Sequence, residues 1–334
     1  MSGLEFALRF YQKDVFVARR YAHGASKHNE VQLSTLGHIG FGCAYLLAAG
    51  LTLRQALALV ETALDSGIRH FDTARMYGHG EAEALLGDVA RRRREDMFIV
   101  TKAGIAPPSL MSRMARRALG AAGLDAANLG QPVKHAFAPR QVRRSVETSL
   151  RELKTDYVDA LLLHDIAPAD VTQALKDEVS ALKLEGKIRR IGVATSAAEA
   201  AVITAAHPEI CELTQLPAPP WSESSEASDP ARIMHSVLGG RLSHFLDVLA
   251  GDEDAAQRFE AEVGVAASDR SAVANLFLQR ALADNPSGVT LFSSTRREHI
   301  VQNATSAADV NAAQIAAFAA FVRQLPSDRV TTAA

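Results

Sequence analysis

Residues His70–Gly87 read HFDTARMYGHGEAEALLG, and this stretch decides how the rest of the chain is interpreted. The apolar run Ile68–Thr73 predicts a short strand, and a glycine-containing polar turn leads from it to a predicted helix over Glu81–Arg94. Asp72 ends the strand, and Tyr77 follows in the turn, where a tyrosine beside glycine is poorly placed to join a core. A carboxylate at a strand end needs a partner, so the stretch predicts a functional cluster that other segments complete.

The same order of apolar run, polar end and helix recurs along the chain. The predicted strands are Ile39–Ala44, Ile68–Thr73, Met97–Lys102, Tyr157–His164, Ile188–Thr195, Ile210–Gln215, Arg232–Leu238 and Val289–Ser294. The predicted helices are Thr52–Ser66, Glu81–Arg94, Pro139–Lys154, Asp170–Gly186, Ala197–Ala206, Ser271–Asp284 and a last helical region over His299–Gln324. Apolar strands that alternate with helices are typical of a parallel sheet that is buried on both faces.

Eight such units predict a single-domain (β/α)8 TIM barrel over residues 36–334, with long loops at its C-terminal face. An open sheet with a dinucleotide-binding turn is rejected, because Ile39–Ala44 (IGFGCA) lacks the third glycine of GxGxxG and the acidic residue that should follow. Residues 1–35 predict an N-terminal extension, either a helix or hairpin packed on the outside of the barrel or an arm that binds a partner.

Composition limits the classes of function. The 334 residues are 48% hydrophobic and 22% charged, as in ordinary soluble globular proteins. A formal net charge of -2 gives no reason to expect nucleic acid or an anionic membrane as partner. Cys43 and Cys211 cannot form a disulfide scaffold, and we find neither a long apolar run nor a secretory signal, so a cytoplasmic protein is expected.

Barrels of this kind carry their chemistry at the C-terminal ends of the strands. The polar residues at the predicted ends are Asp72, Lys102, His164, Thr195, Gln215, His235, Ser293 and Ser294. A buried Lys102 needs a counter-ion, and Asp72 on the preceding strand is available. His164 alone would be read as a structural histidine, but with Tyr77 and the Asp72–Lys102 pair it predicts a proton-transfer site.

The chemistry of this set follows from the side chains. Lys102 should lower the pKa of Tyr77, whose free value is about 10, and Asp72 should hold the lysine in place and charged. A neutral His164 can donate a hydrogen bond to a carbonyl oxygen. No spacing of metal ligands and no motif for acyl transfer is present, so no metal is expected. A proton donor beside a carbonyl predicts carbonyl reduction with a hydride-donating cofactor.

The chain resembles the aldo-keto reductases in a set of motifs that occur in the family's order over about residues 36–305. These motifs are GFGCA, HFDTARMYGHGEAEALLG, VTKAG, DYVDALLLHD, RRIGVATS, TQLPAPP and FSSTRREHIVQN. The resemblance implies a catalytic tetrad of Asp72, Tyr77, Lys102 and His164, with Tyr77 as general acid in reduction and base in oxidation. It implies a small carbonyl or sugar substrate that contacts Tyr77 and His164, and NADPH or NADH bound in extended form across the barrel mouth.

The same resemblance implies a set of cofactor-binding positions, of which some depart from the family pattern. The positions are Gly42, Cys43, Asp72, Thr195, Gln215, His235, Ser236, Leu238, Ser293, Ser294, Arg296, His299, Gln302 and Asn303. Ala194-Thr195 replaces the family's Ser-Asn pair, and His235 replaces the aromatic residue that stacks on the nicotinamide. His299 stands where an arginine often binds the 2′-phosphate.

Gln215 matches the glutamine that holds the carboxamide of the nicotinamide, and Asn303 would hold the adenine. Ser294 and Arg296, with Arg297, remain available for a 2′-phosphate, so NADP is favoured over NAD. The segment FSSTRREH is equally consistent with a simple helix N-cap.

Two loops are expected to select the substrate. Gly104–Ala138 is too long for a plain connector, and its predicted helix Met111–Leu119 carries Arg113, Arg116 and Arg117, which either attract an acidic or sugar-like substrate or form a solvated face. Pro217–Pro230 carries Trp221, as a substrate contact or as packing. The resemblance favours the aldose 1-dehydrogenase branch, and the alternative is a nucleotide-binding regulatory subunit, as found on potassium channels, with little turnover.

Overall fold

The computed structural model describes residues 37–47, 51–107, 111, 115, 119, 135–217, 231–306 and 311–325. The N-terminal segment 1–35, Trp221 and the three arginines at 113, 116 and 117 lie outside these residues, and their predicted roles stay predictions. Within the predicted helix Met111–Leu119, the described residues Met111, Ala115 and Leu119 are helical.

Eight parallel strands close into a barrel in sequence order, which confirms the predicted (β/α)8 fold. Every strand pairs with its neighbours in the chain, and the last pairs with the first. The strands are β1 (Ile39–Gly42), β2 (His70–Asp72), β3 (Phe98–Ala103), β4 (Val158–His164), β5 (Ile188–Ala194), β6 (Leu213–Pro217), β7 (Ala231–His235) and β8 (Val289–Phe292).

The alternation of side chains along β3 shows how a lysine comes to lie inside the barrel. Phe98 and Val100 belong to the apolar cluster that fills the interior. Ile99 and Ala103 belong to the cluster between the strands and the surrounding helices. Because successive side chains of a strand point to opposite faces, Lys102 follows Phe98 and Val100 on the inside, at the end where the chemistry of such barrels is found.

The interior is packed so tightly that a larger residue at Gly40 of β1 would displace its neighbours. A Cβ atom at Gly40 would lie 2.6 Å from Cδ2 of Leu291 and 2.9 Å from Cδ2 of His70. Contacts this short require side chains to move within a close-packed layer. The layer of side chains on the N-terminal side of Asp72 is therefore a filled core.

Helices surround the barrel at the bounds Leu53–Asp65, Ala82–Arg93, Pro139–Leu153, Gln173–Leu184, Ala197–Ala206, Gly240–Ala250, Glu253–Val263, Arg270–Asp284, Arg297–Ser306 and Ala312–Gln324. Where the structure describes a helix, that helix is too short or too polar to cross a bilayer. The region predicted as helical over His299–Gln324 contains two of these helices, with undescribed residues 307–310 between them.

The helices Gly240–Ala250 and Glu253–Val263 were not predicted. They contribute Phe245 and Phe259 to a second apolar cluster, in which the rings lie 5.7 Å apart, centroid to centroid. Their buried residues recur every three or four positions: Leu242, Phe245, Leu249, then Ala255, Phe259, Val263. This spacing is a helical pattern that could have been recognised from the sequence.

The opposite, N-terminal end of the barrel is held by a cluster of charges around Tyr157. The guanidinium carbons of Arg94 and Arg189 lie 4.0 Å and 3.6 Å from the centre of the Tyr157 ring. Both arginines pair with the buried Asp159, at 2.7 Å and 3.2 Å. Asp159 also accepts a hydrogen bond from the backbone N–H of Ile99. This cluster ties β3, β4 and β5 together far from the strand ends that carry the candidate site.

Candidate active site

Three strands bring an acid, a lysine and an amide into direct contact at the C-terminal end of the barrel. Nζ of Lys102 in β3 donates to Oδ1 of Asp72 at 2.6 Å and to the backbone oxygen of Thr73 at 3.0 Å. Nε2 of Gln215 in β6 donates to the other carboxylate oxygen of Asp72 at 2.8 Å. Asp72, Lys102 and Gln215 are all buried. The pairing expected for Lys102 and Asp72 is present, and the bond from Gln215 was not predicted.

Tyr77 closes this cluster from the loop after β2. It begins the short 3-10 turn Tyr77–Gly80, which leads into the helix Ala82–Arg93. Nζ of Lys102 lies 4.8 Å from the centre of the Tyr77 ring. The ring of His164, at the end of β4, lies 6.2 Å away and nearly perpendicular to that of Tyr77. The four residues named from the sequence as a tetrad therefore meet in one cluster.

The pKa of Tyr77 is shifted by burial and by the charge of Lys102 in opposite directions. Burial raises the pKa of Tyr77, and the charge and hydrogen bond of Lys102 oppose this only in part. Lys102 lowers the pKa of Tyr77 as predicted, but the net shift is upward, because the cost of burying a phenolate exceeds the attraction of one ammonium. Burial by itself lowers the pKa of Lys102, but Asp72 and Tyr77 outweigh it and raise that pKa, so the amine stays charged.

Two histidines beside the cluster are neutral at physiological pH. Burial, together with the positive charge of Lys102, lowers the pKa of His164 to about 4. Burial likewise lowers the pKa of His235, at the end of β7, to about 4. A neutral imidazole can donate one hydrogen bond and accept another, which suits it to orient a polar ligand. The expected neutral state of His164 agrees with this.

The end of β1 contributes backbone rather than a reactive thiol. Cys43 is fully buried, and burial raises the pKa of its thiol. Its backbone N–H donates to the backbone oxygen of Asp72 at 2.8 Å. Oγ of Ser293, just after β8, donates to the backbone oxygen of Gly42 at 2.8 Å. Of the cofactor positions named from the sequence, Gly42 and Ser293 are thus bonded to each other, and Cys43 is bonded to Asp72 at the end of β2.

The hydroxyl of Thr195, just after β5, makes its hydrogen bond within the protein. Its hydroxyl donates to Oε2 of Glu199 at 2.6 Å, and Ser196 donates to the same oxygen at 2.9 Å. Ser196 also caps the helix Ala197–Ala206 by accepting from the N–H of Glu199. The hydroxyl hydrogen of Thr195 is therefore used within the protein, and its part in holding a cofactor amide remains a prediction.

The loop after β7 leads into a helix whose first N–H groups have no side-chain cap. His235 Nδ1 and Ser236 Oγ are 2.8 Å apart, and Arg241 donates to the backbone oxygen of Ser236 at 3.1 Å. The helix Gly240–Ala250 begins after Gly239 with neither a side-chain cap nor an acidic residue in its first turn. Uncapped N–H groups at a helix start attract anions.

The residues proposed for the adenosine end lie on the loop after β8 and on the helix Arg297–Ser306. Ser294 Oγ accepts from the backbone N–H of Arg296 at 3.1 Å, in the turn that precedes this helix, and the Arg296 side chain is exposed. Arg297 donates to Oγ1 of Thr62 at 3.0 Å on the neighbouring helix Leu53–Asp65. The positions at His299, Gln302 and Asn303 follow on the same helix.

One buried histidine near the site was missed by sequence reasoning. His70 lies on β2 two residues before Asp72, and its ring stacks on that of Phe98 with centroids 5.3 Å apart. It is fully buried, and among the described residues neither ring nitrogen has a hydrogen-bond partner. Burial lowers its pKa to about 4.

The low pKa of His70 should make stability depend on pH between its ordinary value of 6.5 and about 4. In this range the unfolded chain binds a proton at His70 and the folded protein does not, so this contribution is complete above 6.5 and is lost as the pH falls. We expect urea unfolding of His70→Leu to show a pH slope smaller by about one proton than wild type. Above this range the two curves should run parallel, and equal slopes within it would contradict the assignment.

The described residues contain no group of three or more His, Cys, Asp or Glu side chains arranged to hold a metal ion. The cluster at the strand ends instead combines one ion pair, one protonated phenol and two neutral imidazoles. Such a set can donate a proton to an oxygen and stabilise the anion that remains on the donor.

Comparison with known proteins agrees with this architecture. The family model described as the Aldo/keto reductase family matches residues 36–214. The chain is 34% identical over 178 residues to a 6-dehydroglucose reductase of Novosphingobium aromaticivorans, covering 47% of this chain and 49% of that protein. It is 33% identical over 173 residues to a D-threo-aldose 1-dehydrogenase of Pseudomonas sp, covering 48% and 51%. The chain thus spans about half the length of these curated relatives.

The likeness in three dimensions extends over more of the chain. An aldo-keto reductase from Klebsiella pneumoniae, solved in complex with NADPH, superposes with a TM-score of 0.65 and covers 88% of this chain and 94% of that one. At 24% identity this likeness bears on the fold. Since the family model covers more than half of the chain, the protein belongs to the aldo/keto reductase family.

Proposed function

We propose that this protein is an oxidoreductase that interconverts a small carbonyl compound and its alcohol with NADPH, and that Tyr77 transfers the proton. The observation that supports this most is the contact of Asp72, Lys102 and Tyr77 at the C-terminal end of the barrel. Packing alone does not require a charged lysine beside a buried phenol, since each buried charge costs several kcal/mol before it is paired.

In reduction, Tyr77 acts as the general acid. Its raised pKa keeps the phenol protonated at neutral pH, so it has a proton to give. As the proton leaves, the phenolate that forms is stabilised by the ammonium of Lys102, whose position is set by Asp72. In oxidation the same phenolate accepts the proton of the alcohol. The barrier is lowered because the compensating charge is already in place before the reaction.

His164 and Gln215 have supporting roles in this proposal. The neutral His164, next to Tyr77, donates a hydrogen bond to the carbonyl oxygen and turns it toward the phenol. Gln215 uses its amide nitrogen to hold Asp72, which leaves its carbonyl oxygen for the carboxamide of a nicotinamide. His235 lies beside the same space and can stack on a flat ring.

The residues around the barrel mouth fit a dinucleotide. The uncapped start of the helix Gly240–Ala250, with Arg241 in its first turn, suits a pyrophosphate. A Cβ atom at Gly239 or Gly240 would meet nothing within 4 Å, so the backbone there is open to close approach. The exposed Arg296 and Ser294 suit a 2′-phosphate, which favours NADPH over NADH. When bound, the nicotinamide supplies or accepts the hydride.

We further propose an aldose or a closely related sugar as the substrate class. The names of the two relatives above, a 6-dehydroglucose reductase and a D-threo-aldose 1-dehydrogenase, support this choice. The long segment after β3 and the segment that carries Trp221 are the parts of the chain we expect to contact the sugar. Arg113, Arg116 and Arg117 would supply hydrogen-bond donors to its hydroxyl groups.

A panel of aldehydes, ketones and aldoses, followed in both directions by nicotinamide absorbance, tests the proposed function. We expect turnover with at least one aldose and a lower KM for NADPH than for NADH. Arg296→Ala should raise the Kd for NADPH about tenfold, since one bidentate charged contact contributes 1.5–3 kcal/mol, while leaving the Kd for NADH unchanged. Tight binding of NADPH without any turnover would instead favour a nucleotide-binding regulatory subunit.

A further inference from the structure

The proposed proton donor lies on a short, glycine-containing loop, which is costly in entropy to order. Tyr77 sits between the end of β2 and the helix Ala82–Arg93, in a turn with the two positive-φ glycines Gly78 (φ 57°) and Gly80 (φ 92°). Glycine in such conformations loses more chain entropy on ordering than other residues. Proton transfer requires placement within a fraction of an ångström, so contacts from outside the turn must fix it.

Arg75, two residues before Tyr77, supplies such a contact. It is buried, and its Nη1 donates to Oε2 of Glu83 at 2.5 Å. Glu83, in the first turn of the helix Ala82–Arg93, is fully buried, and its other oxygen, Oε1, accepts from Oγ1 of Thr101 at 2.6 Å. Both carboxylate oxygens of Glu83 are therefore occupied, one by the Tyr77 loop and one by β3.

The three residues form a continuous bridge between the two halves of the candidate site. Arg75 stands in the loop that carries Tyr77, and Thr101 is the residue directly before Lys102 in β3. Because side chains alternate along β3, Thr101 points to the outside of the barrel, where Glu83 lies, and Lys102 points to the inside. Two hydrogen bonds through one buried carboxylate thus link the Tyr77 loop to the lysine strand, in addition to the bond from Lys102 to the backbone oxygen of Thr73.

Stability alone does not account for this arrangement. A buried ion pair often contributes no more to the free energy of unfolding than well-packed apolar residues of similar volume, because desolvation offsets the attraction. What directional hydrogen bonds add is a defined geometry, since an ion pair and a hydroxyl contact that share one carboxylate allow few alternative arrangements.

We propose that Arg75, Glu83 and Thr101 form a clamp that positions Tyr77 against Lys102. Arg75 binds the loop to Glu83 at the start of the helix Ala82–Arg93. Thr101 in turn binds Glu83 to β3, the strand of Lys102. The three are positioning residues, because none of them touches the reacting atoms. The kinetic consequence of the clamp rests on the proposed function, whereas its effect on the loop does not.

Arg75→Met tests the clamp, because it keeps the length of the side chain and removes its charge and donors. We expect kcat to fall about 10–100-fold, since misplacement by about 1 Å costs this much, while the Kd for NADPH and the KM change less than about threefold. Hydrogen exchange of the backbone in residues 74–80 should become faster in this variant. Thr101→Val should show the same changes to a smaller extent, and Arg75→Lys should recover part of the wild-type kcat.

Asp159→Asn is the matched control, since it breaks the buried ion pair of Asp159 with Arg94 at the other end of the barrel. It should lower thermal stability but leave kcat and the exchange of residues 74–80 as in wild type. Wild-type exchange in Arg75→Met, or equal changes in Asp159→Asn, would overturn the clamp. If wild type turns over no carbonyl or alcohol, the proposed function fails, and the exchange measurement still decides the clamp.

Discussion

Tyr77→Phe is expected to lower kcat for carbonyl reduction about 10³-fold while leaving the Kd for NADPH within about twofold of wild type. The substitution removes only the hydroxyl group. The ring keeps its place 4.8 Å from Nζ of Lys102 and its edge contact with His164, so the fold and the cofactor site should be unchanged. What is lost is the proton donor, and no other phenol lies in the described part of the cluster.

Steady-state kinetics of Tyr77→Phe, with NADPH binding measured by calorimetry, check this expectation. Tyr157→Phe is the matched control, because it makes the same chemical change at the opposite end of the barrel, where the ring stays between Arg94 and Arg189. It should retain wild-type kcat. A Tyr77→Phe enzyme with undiminished kcat would show that the proton comes from another group and that the proposed mechanism is wrong.

Lys102→Met should damage both activity and stability. It leaves the carboxylate of Asp72 buried with only the bond from Gln215, and breaking a buried ion pair from one side costs about 3–5 kcal/mol. It also removes the charge that stabilises the phenolate of Tyr77, so kcat should fall about 10²–10⁴-fold. Urea unfolding and steady-state kinetics on the same preparation measure the two effects.

The double variant Asp72→Asn/Lys102→Met separates these effects. It removes both charges of the pair, so a large part of the lost stability should return, since no uncompensated charge remains. Activity should not return, because the phenolate still lacks its counter-ion. Recovery of kcat together with stability would mean that Lys102 serves the fold and not the proton transfer.

Much of the fold was predictable because the barrel repeats a local pattern. Each strand is a short apolar run with a polar end, and this pattern alone placed Asp72, Lys102, His164 and Gln215 at the mouth. The helices around Phe245 and Phe259 were missed although their apolar residues recur at helical spacing. They lie between β7 and β8, where an eight-unit alternation of strands and helices predicts only one connecting helix.

The site was predictable in its residues and only partly in its chemistry. Gln215 holds Asp72 across 143 positions of the chain, and no local pattern encodes such a contact. Thr195 was predicted to be a cofactor-binding position, and only the structure shows that its hydroxyl donates to Glu199. Arg75 and Glu83 would pass for solvated charges in the sequence, and both are buried.

The sequence by itself determined the barrel and the identity of the strand-end side chains, because the alternation of strand residues and the convergence of parallel strand ends are local rules applied eight times. Only the tertiary structure decided that burial raises the pKa of Tyr77, that His235 is neutral, and that Arg75 reaches Glu83. These properties depend on burial and on contacts between distant segments. Both come into existence when the barrel closes and excludes water from the charges inside it.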